Sequence, residues 1–140
     1  MRKLLFVIIP AVVLLIARPS AQVSDAPQGW LVIEGGSYPL NATVVEKFRE
    51  LVGGPEAKVL VVPTAMGDAD LTPELLADAG KGLGLRNVEV FHTRDRAQAD
   101  SEEFAGRIRS VRGVWFGGGR PGRLAETYLG TRTHRELEAL

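Results

Sequence analysis

Short β-type runs that end on glycine or proline, separated by stretches of helical spacing, constrain this chain more than any other feature. Lys58-Val-Leu-Val-Val-Pro63 and Gly113-Val-Trp-Phe116 are apolar through their centres. Such runs suit strands covered on both faces, not half-exposed ones. Gly29-Trp-Leu-Val-Ile-Glu34 has the same character, and Asn87-Val-Glu-Val-Phe91 is a shorter run. Behind a capping Asn41, the residues Val44, Val45, Phe48, Leu51 and Val52 recur at helical spacing until Gly53-Gly54-Pro55. Thr72-Pro73 opens a second helix, with Leu75, Leu76, Ala79 and Leu83 as its apolar stripe and Gly84 as its stop. Asp100 and Glu103 form a capping box ahead of Phe104, Ile108 and Val111. Pro121 opens a helix carrying Leu124 and Leu129 and closed by Gly130, and Thr133 caps a last helix from His134 to Leu140.

Strand–helix alternation of this kind means βαβ units and a parallel sheet with helices on both faces, a three-layer α/β architecture. Ligands of such sheets sit at the carboxyl ends of the strands. Four loops therefore share one rim: Gly35 to Tyr38, Thr64 to Asp68, His92 to Arg94, and Gly117 to Arg123. Leu140 falls inside a helix without a stop signal, where a crossover to a fifth strand is expected. Residues 29–140 are thus read as the N-terminal part of a larger α/β domain.

The N-terminus is an address. Met1-Arg2-Lys3 precedes an uncharged apolar run from Leu4 to Ala17, and small residues follow up to Ala21. This is the three-part pattern of a secretory signal over residues 1–21. The run is short of the roughly 20 apolar residues that span a bilayer. Cleavage predicts a periplasmic or extracellular product, and an uncleaved signal predicts a membrane tether. Residues 22–28 read as a polar linker. Loss of the signal removes Arg2, Lys3 and Arg18 and no acid, leaving 14 basic side chains against 17 acidic ones. That balance gives no electrostatic footprint for nucleic acid. The absence of cysteine excludes disulfides, thiolate zinc sites and a cysteine nucleophile.

On the rim, Gly117-Gly118-Gly119 follows a strand and precedes a helix. Glycines there let backbone N–H groups approach a ligand, and the helix N-terminus adds partial positive charge. The arrangement suits an oxyanion or a bound carboxylate, with Arg120 and Arg123 alongside to hold an acidic group. Tight packing is the competing explanation for the glycines, and solvation the competing fate of the arginines. Gly117-x-Gly119-x-x-Gly122 has dinucleotide spacing, but it lies after the wrong strand for that fingerprint. Ser37 has no histidine near it in sequence and reads as a turn residue. His92 and His134 are scattered, and Asp68 and Asp70 are loop acids, so no metal site is expected.

Three segments, Leu31-Val-Ile-Glu-Gly-Gly-Ser37, Val59-Leu-Val-Val-Pro-Thr-Ala65 and Val114-Trp-Phe-Gly-Gly-Gly-Arg-Pro-Gly-Arg-Leu124, together resemble the cyanophycinase-like serine peptidases. This is the peptidase E family of the class I glutamine amidotransferase-like fold. The spacing from Ala125 through Tyr128 and Thr131 to Leu137 is similar as well. The resemblance implies a flavodoxin-like sheet, and a nucleophile elbow of Gly-x-Ser-x-Gly type on the next strand. It puts the serine, histidine and acid of the triad beyond Leu140, so that no catalytic residue is expected in this segment and His92 is not the base. Gly117, Gly118 and Gly119, with Arg120 and Arg123, are left as its oxyanion and substrate-binding contribution. Family members carry a glutamine at the position of Pro121, and proline cannot supply that amide.

The implied activity is hydrolysis of aspartyl peptide bonds by an exported serine-type peptidase without a cofactor, inactive as this segment alone. The implied partner is a peptide with aspartyl residues, with a homodimer allowed. The alternatives are a non-catalytic module binding a small anion, an amidase or amidotransferase relative on the same fold, and a nucleotide-binding domain.

Overall fold

A computed structural model describes residues 29–35 and 39–140. The signal and linker segments, and Gly36, Ser37 and Tyr38 of the first rim loop, lie outside the described residues. The elements are α1 (Ala42–Val52), β1 (Val59–Val62), α2 (Pro73–Ala77), β2 (Val88–Val90), α3 (Arg96–Ala99), α4 (Glu102–Ala105), β3 (Gly113–Phe116), α5 (Pro121–Tyr128) and α6 (Arg132–Glu138). β1 is central in a parallel sheet of order β2-β1-β3. Val59 faces Val88 on one side and Gly113 on the other, and Val62 faces Phe116.

Successive side chains of a strand point to opposite faces. In β1 this splits four buried residues between two cores. Leu60 and Val62 join Phe91, Ala99, Phe104, Ile108, Val111 and Tyr128 beneath α3 to α6. Val59 and Val61 join Val45, Phe48, Val52, Leu83 and Leu85 beneath α1. The expected three-layer parallel α/β arrangement is therefore present, built on three strands.

α1 starts where Asn41 Oδ1 accepts the N–H of Thr43 at 2.9 Å, and ends on Gly53 in the left-handed region. It meets β3 closely, with Phe48 edge-on to Trp115 at 5.1 Å. A Cβ on Gly113 would lie 2.5 Å from Val52 Cγ1, so glycine sets that approach. At the other edge, Arg107 stacks over Phe91 and Phe104 at 5.0 and 5.3 Å. It also donates to Glu89 and to the carbonyl of Val90, at 2.7 and 2.9 Å. Burial would raise the Glu89 carboxyl, but the hydrogen bonds and charges of Arg107 and Lys58 outweigh it and hold the group below its usual range.

Several local expectations are corrected. Gly29–Glu34 is not a buried strand: Trp30, Leu31 and Ile33 are 81%, 85% and 81% exposed, and no described strand pairs with them. An apolar run becomes a strand only with an edge to bond and layers to cover it. Here the segment instead flanks an apolar groove that also takes in Val114 and Phe116 of β3. The second helix is broken: α2 stops at Asp78, and a 3-10 turn from Lys81 to Leu83 follows. Leu75 stays 37% exposed, whereas Leu83 is buried. Gly80 sits at the break, where a Cβ would meet Val88 Cγ2 at 2.7 Å.

The Asp100–Glu103 capping box is replaced by two separate caps. Asp95 accepts from Ala97 at 2.8 Å, and Ser101 accepts from Phe104 at 3.2 Å. Asp100 instead accepts the N–H of Arg132 at 2.7 Å. Thr131, not Thr133, caps α6. Thr133 is buried and donates to the carbonyl of Ala99 at 2.7 Å. Leu129 lies past the end of α5 and is 56% exposed. Among the described residues no helix is long and apolar enough to cross a membrane.

The α1–β3 approach is testable. Gly113→Ala should lower the unfolding free energy by about 1–3 kcal/mol, as overpacking does. Val52→Ala added to it should recover part of that loss, giving a non-additive double-mutant cycle in urea unfolding. Additive losses would show that the two positions do not touch.

Candidate functional site at the carboxyl rim of the sheet

Three of the four expected rim loops are described through their whole length, and they meet at the carboxyl ends of β1, β2 and β3. Their hub is the carbonyl of Ala65. It accepts the N–H of Arg120 at 2.8 Å and the guanidinium of Arg123 at 3.0 Å. The two carbonyls beside it are held by Arg94, which donates to Thr64 O, to Met66 O at 2.6 Å and to Asp68 Oδ1 at 2.9 Å. Two guanidinium groups therefore lace three consecutive carbonyls of the loop after β1. Arginine suits this because its planar fork presents several donors at once.

The glycine turn is shaped by that loop. Gly117 N–H continues the ladder to Val62 O at 2.9 Å. Gly119 has φ +136°, and a Cβ there would lie 2.2 Å from Ala65 O. Both facts demand glycine at 119. Gly118 has open space where a Cβ would be. The N–H groups of Gly118 and Gly119 have no hydrogen-bond acceptor among the described residues. Pro121 occupies the first turn of α5, as the sequence predicts.

The loop after β1 also carries a polar relay, in which Thr64 and Tyr128 are buried and His92 is half-buried. Thr64 Oγ1 is 2.7 Å from the Tyr128 hydroxyl and 2.9 Å from His92 Nδ1. A threonine hydroxyl carries one proton. With neutral His92 accepting at Nδ1, Thr64 donates to it and Tyr128 donates to Thr64. An imidazolium would instead donate to Thr64, whose second lone pair can still accept from Tyr128. Burial lowers the His92 pKa first, the charge of Arg94 lowers it further, and Asp68 opposes. Burial likewise pushes the Tyr128 phenol up, more than its bond to Thr64 lowers it.

The rim brings together Gly117, Gly118, Gly119, Arg120 and Arg123. Arg120 and Arg123 make no ion pair among the described residues, unlike Arg94, which pairs with Asp68. Sequence reasoning gave no role to Thr64, Arg94 or Tyr128. A threonine after a strand and a tyrosine late in a helix carry no local mark of a shared hydrogen bond across 64 residues. Ser101 and Ser110 are committed to Phe104 N and Arg107 O. Among the described residues no cluster of acids and histidines is placed to hold a metal ion.

With this geometry in view, comparison with known proteins is informative. No family model matches the chain. Cyanophycinases of Synechococcus elongatus and Thermosynechococcus vestitus are each 30% identical over 82 residues, which is 59% of this chain and 26% of theirs. The cyanophycinase of Geminocystis herdmanii is 21% identical over 113 residues, 77% of this chain and 42% of that protein. The chain is cyanophycinase-like over these stretches. It spans between about a quarter and two fifths of the length of these relatives. A solved peptidase from an acI-B1 Actinobacterium superposes with a TM-score of 0.53 at 20% identity, covering 70% of this chain and 44% of that one. At that identity the likeness shows the fold, in agreement with the flavodoxin-like α/β expectation.

The burial of His92 beside Arg94 predicts a pH effect with a definite sign. A histidine whose folded pKa is depressed costs nothing above its ordinary value of 6.5. Stability should fall as the pH drops from there through the lower folded value, because the unfolded chain then binds the extra proton. Urea midpoints of wild type and His92→Asn between about pH 7.5 and 5 isolate this contribution from the carboxylates, which titrate lower. The wild type should lose stability relative to the variant on acidification. A parallel pair of curves would remove the burial of His92 from the account.

Proposed function

We propose that this chain forms the N-terminal part of a cyanophycinase-like serine peptidase that hydrolyses aspartyl peptide bonds. In this reading its glycine turn is the anion-stabilising wall of the site. The carrying observation is the pair of adjacent N–H groups at Gly118 and Gly119 that no described acceptor uses. They stand at the carboxyl end of β3 in the parallel sheet, followed by two arginines without ion pairs among the described residues. Such donors stabilise the oxyanion of a tetrahedral intermediate when they are held in place before the reaction. The hold is provided by Ala65 O on the Arg120 N–H and by the close fit of Gly119.

In acyl transfer of this type, a serine hydroxyl attacks the peptide carbonyl while a histidine takes its proton. The carbonyl oxygen gains the negative charge, and the turn faces it. His92 is not the base in this scheme, because the resemblance puts the triad histidine after the serine, outside the described residues. The serine, histidine and acid are assigned to polypeptide outside the described residues. Arg120 and Arg123 supply positive charge for an acidic group of the substrate. The leader Met1–Ala21 is the basis for proposing export, and the same leader, if retained, would tether the product to a membrane.

The test is a fusion continuing this chain with the downstream portion of the Synechococcus elongatus cyanophycinase, assayed on an aspartyl peptide. Gly118→Pro removes one N–H where the site has room for a side chain. It should cost about 10²–10³ in kcat, the effect of losing one oxyanion donor. Gly118→Ala, which keeps the N–H, should retain most of the turnover. Full activity in the proline variant would reassign the turn to packing.

A further inference from the structure

Between Arg94 of the loop after β2 and α5 lies an open pocket of about 240 Å³ lined by Arg94, Arg123, Glu126 and Thr127. It is smaller than the roughly 300–1,000 Å³ of drug-sized sites, and suits a group the size of one residue. Its polar groups are unequally committed. Arg94 is spent on two carbonyls and Asp68. The hydroxyl of Thr127 donates to Arg123 O at 2.8 Å. Arg123 gives one N–H to Ala65 O and keeps the rest of its fork open. The Glu126 carboxylate has no hydrogen-bond or ion-pair partner among the described residues, although its backbone carbonyl accepts from Arg96 at 3.2 Å.

Arg123 and Glu126 stand three residues apart on α5, so their Cβ atoms are helical neighbours about 5–6 Å apart. They make no ion pair, and Ala65 O holds the guanidinium. The pocket therefore presents a cation and an anion side by side, each with unused hydrogen-bonding capacity. A simple anion meets the repulsion of Glu126, and a simple cation meets that of Arg123 and Arg94. The complement is a small group carrying both charges in reverse order.

We propose that this pocket binds the zwitterionic α-amino-acid group, its carboxylate on Arg123 and its ammonium on Glu126. Its service as a substrate subsite rests on the peptidase reading above; the binding itself does not. Charge-assisted contact to a guanidinium fork favours a carboxylate in the plane of the fork.

The experiment is a titration of the full chain, followed by ¹⁵N–¹H spectra, with three probes of similar size: L-alanine, propionate and ethylamine. Alanine should shift the amides of Arg123, Glu126 and Thr127 at millimolar concentration, with propionate and ethylamine each at least about tenfold weaker. Glu126→Gln should bring alanine down to the level of propionate, and Arg123→Gln should abolish the response to both. Both substitutions are on the accessible face of α5, and the spectra themselves report folding. Equal binding of propionate and alanine to the wild type overturns the proposal, as does an alanine response that survives both substitutions. So does silence at those amides. None of these outcomes bears on hydrolysis by the fusion, so the two readings fail separately.

Discussion

The central strand carries the structure. β1 is paired on both edges and covered on both faces, and its four residues alternate between two separate cores. The helices of the two cores are placed by what they cover there: α1 lies over Val59 and Val61, and the helices after β2 and β3 lie over Leu60 and Val62. Burying such a side chain is worth about 1.5–3 kcal/mol, and in β1 there is no exposed face on which to lose it. Fixing β1 also fixes where its carboxyl end emerges, and that end is the loop on which the rim is built.

From there, the control of the glycine turn passes through one backbone carbonyl. Ala65 O orients the turn by accepting Arg120 N–H, and it leaves no room for a side chain at 119. Arg123 holds that carbonyl and Arg94 its two neighbours. The Thr64–Tyr128 hydrogen bond ties the same loop to the last residue of α5. The turn is thus held in place through the loop after β1, which is the support a preorganised site requires.

How much of this was legible in the sequence depends on the range of the interaction. β1 and β3 were readable because a continuous apolar run has few other uses, and Pro121 and Asn41 because capping is local. Gly29–Glu34 shows the limit: a run of the right composition remains exposed where no described strand bonds to it. The broken helices failed for a similar reason. Apolar spacing continued through Gly80 and Asp100, while a close approach to Val88 and a bond from Arg132 decided the geometry. The glycine turn and its two arginines were legible as a type of loop. The Thr64–His92–Tyr128 relay and the lacing by Arg94 were not, because each joins residues at least 28 positions apart that have common structural uses on their own.

The two unspent N–H groups separate a functional reading of the rim from a purely structural one. Elsewhere some arginines are paired, Arg109 with Glu102 and Glu136, Arg107 with Glu89, Arg132 with Glu102, while Arg96 bonds only to the carbonyls of Glu126 and Leu129. At the turn, among the described residues, two arginines lack carboxylates and two consecutive N–H groups lack acceptors. At the protein surface such groups cost little, since water satisfies them. They become costly once a substrate excludes that water, unless the substrate brings negative charge of its own. A turn that served packing alone would need the glycine at 119, where the backbone of Ala65 approaches. It would have no need of Gly118, whose missing side chain leaves open space, or of the unneutralised charge that follows.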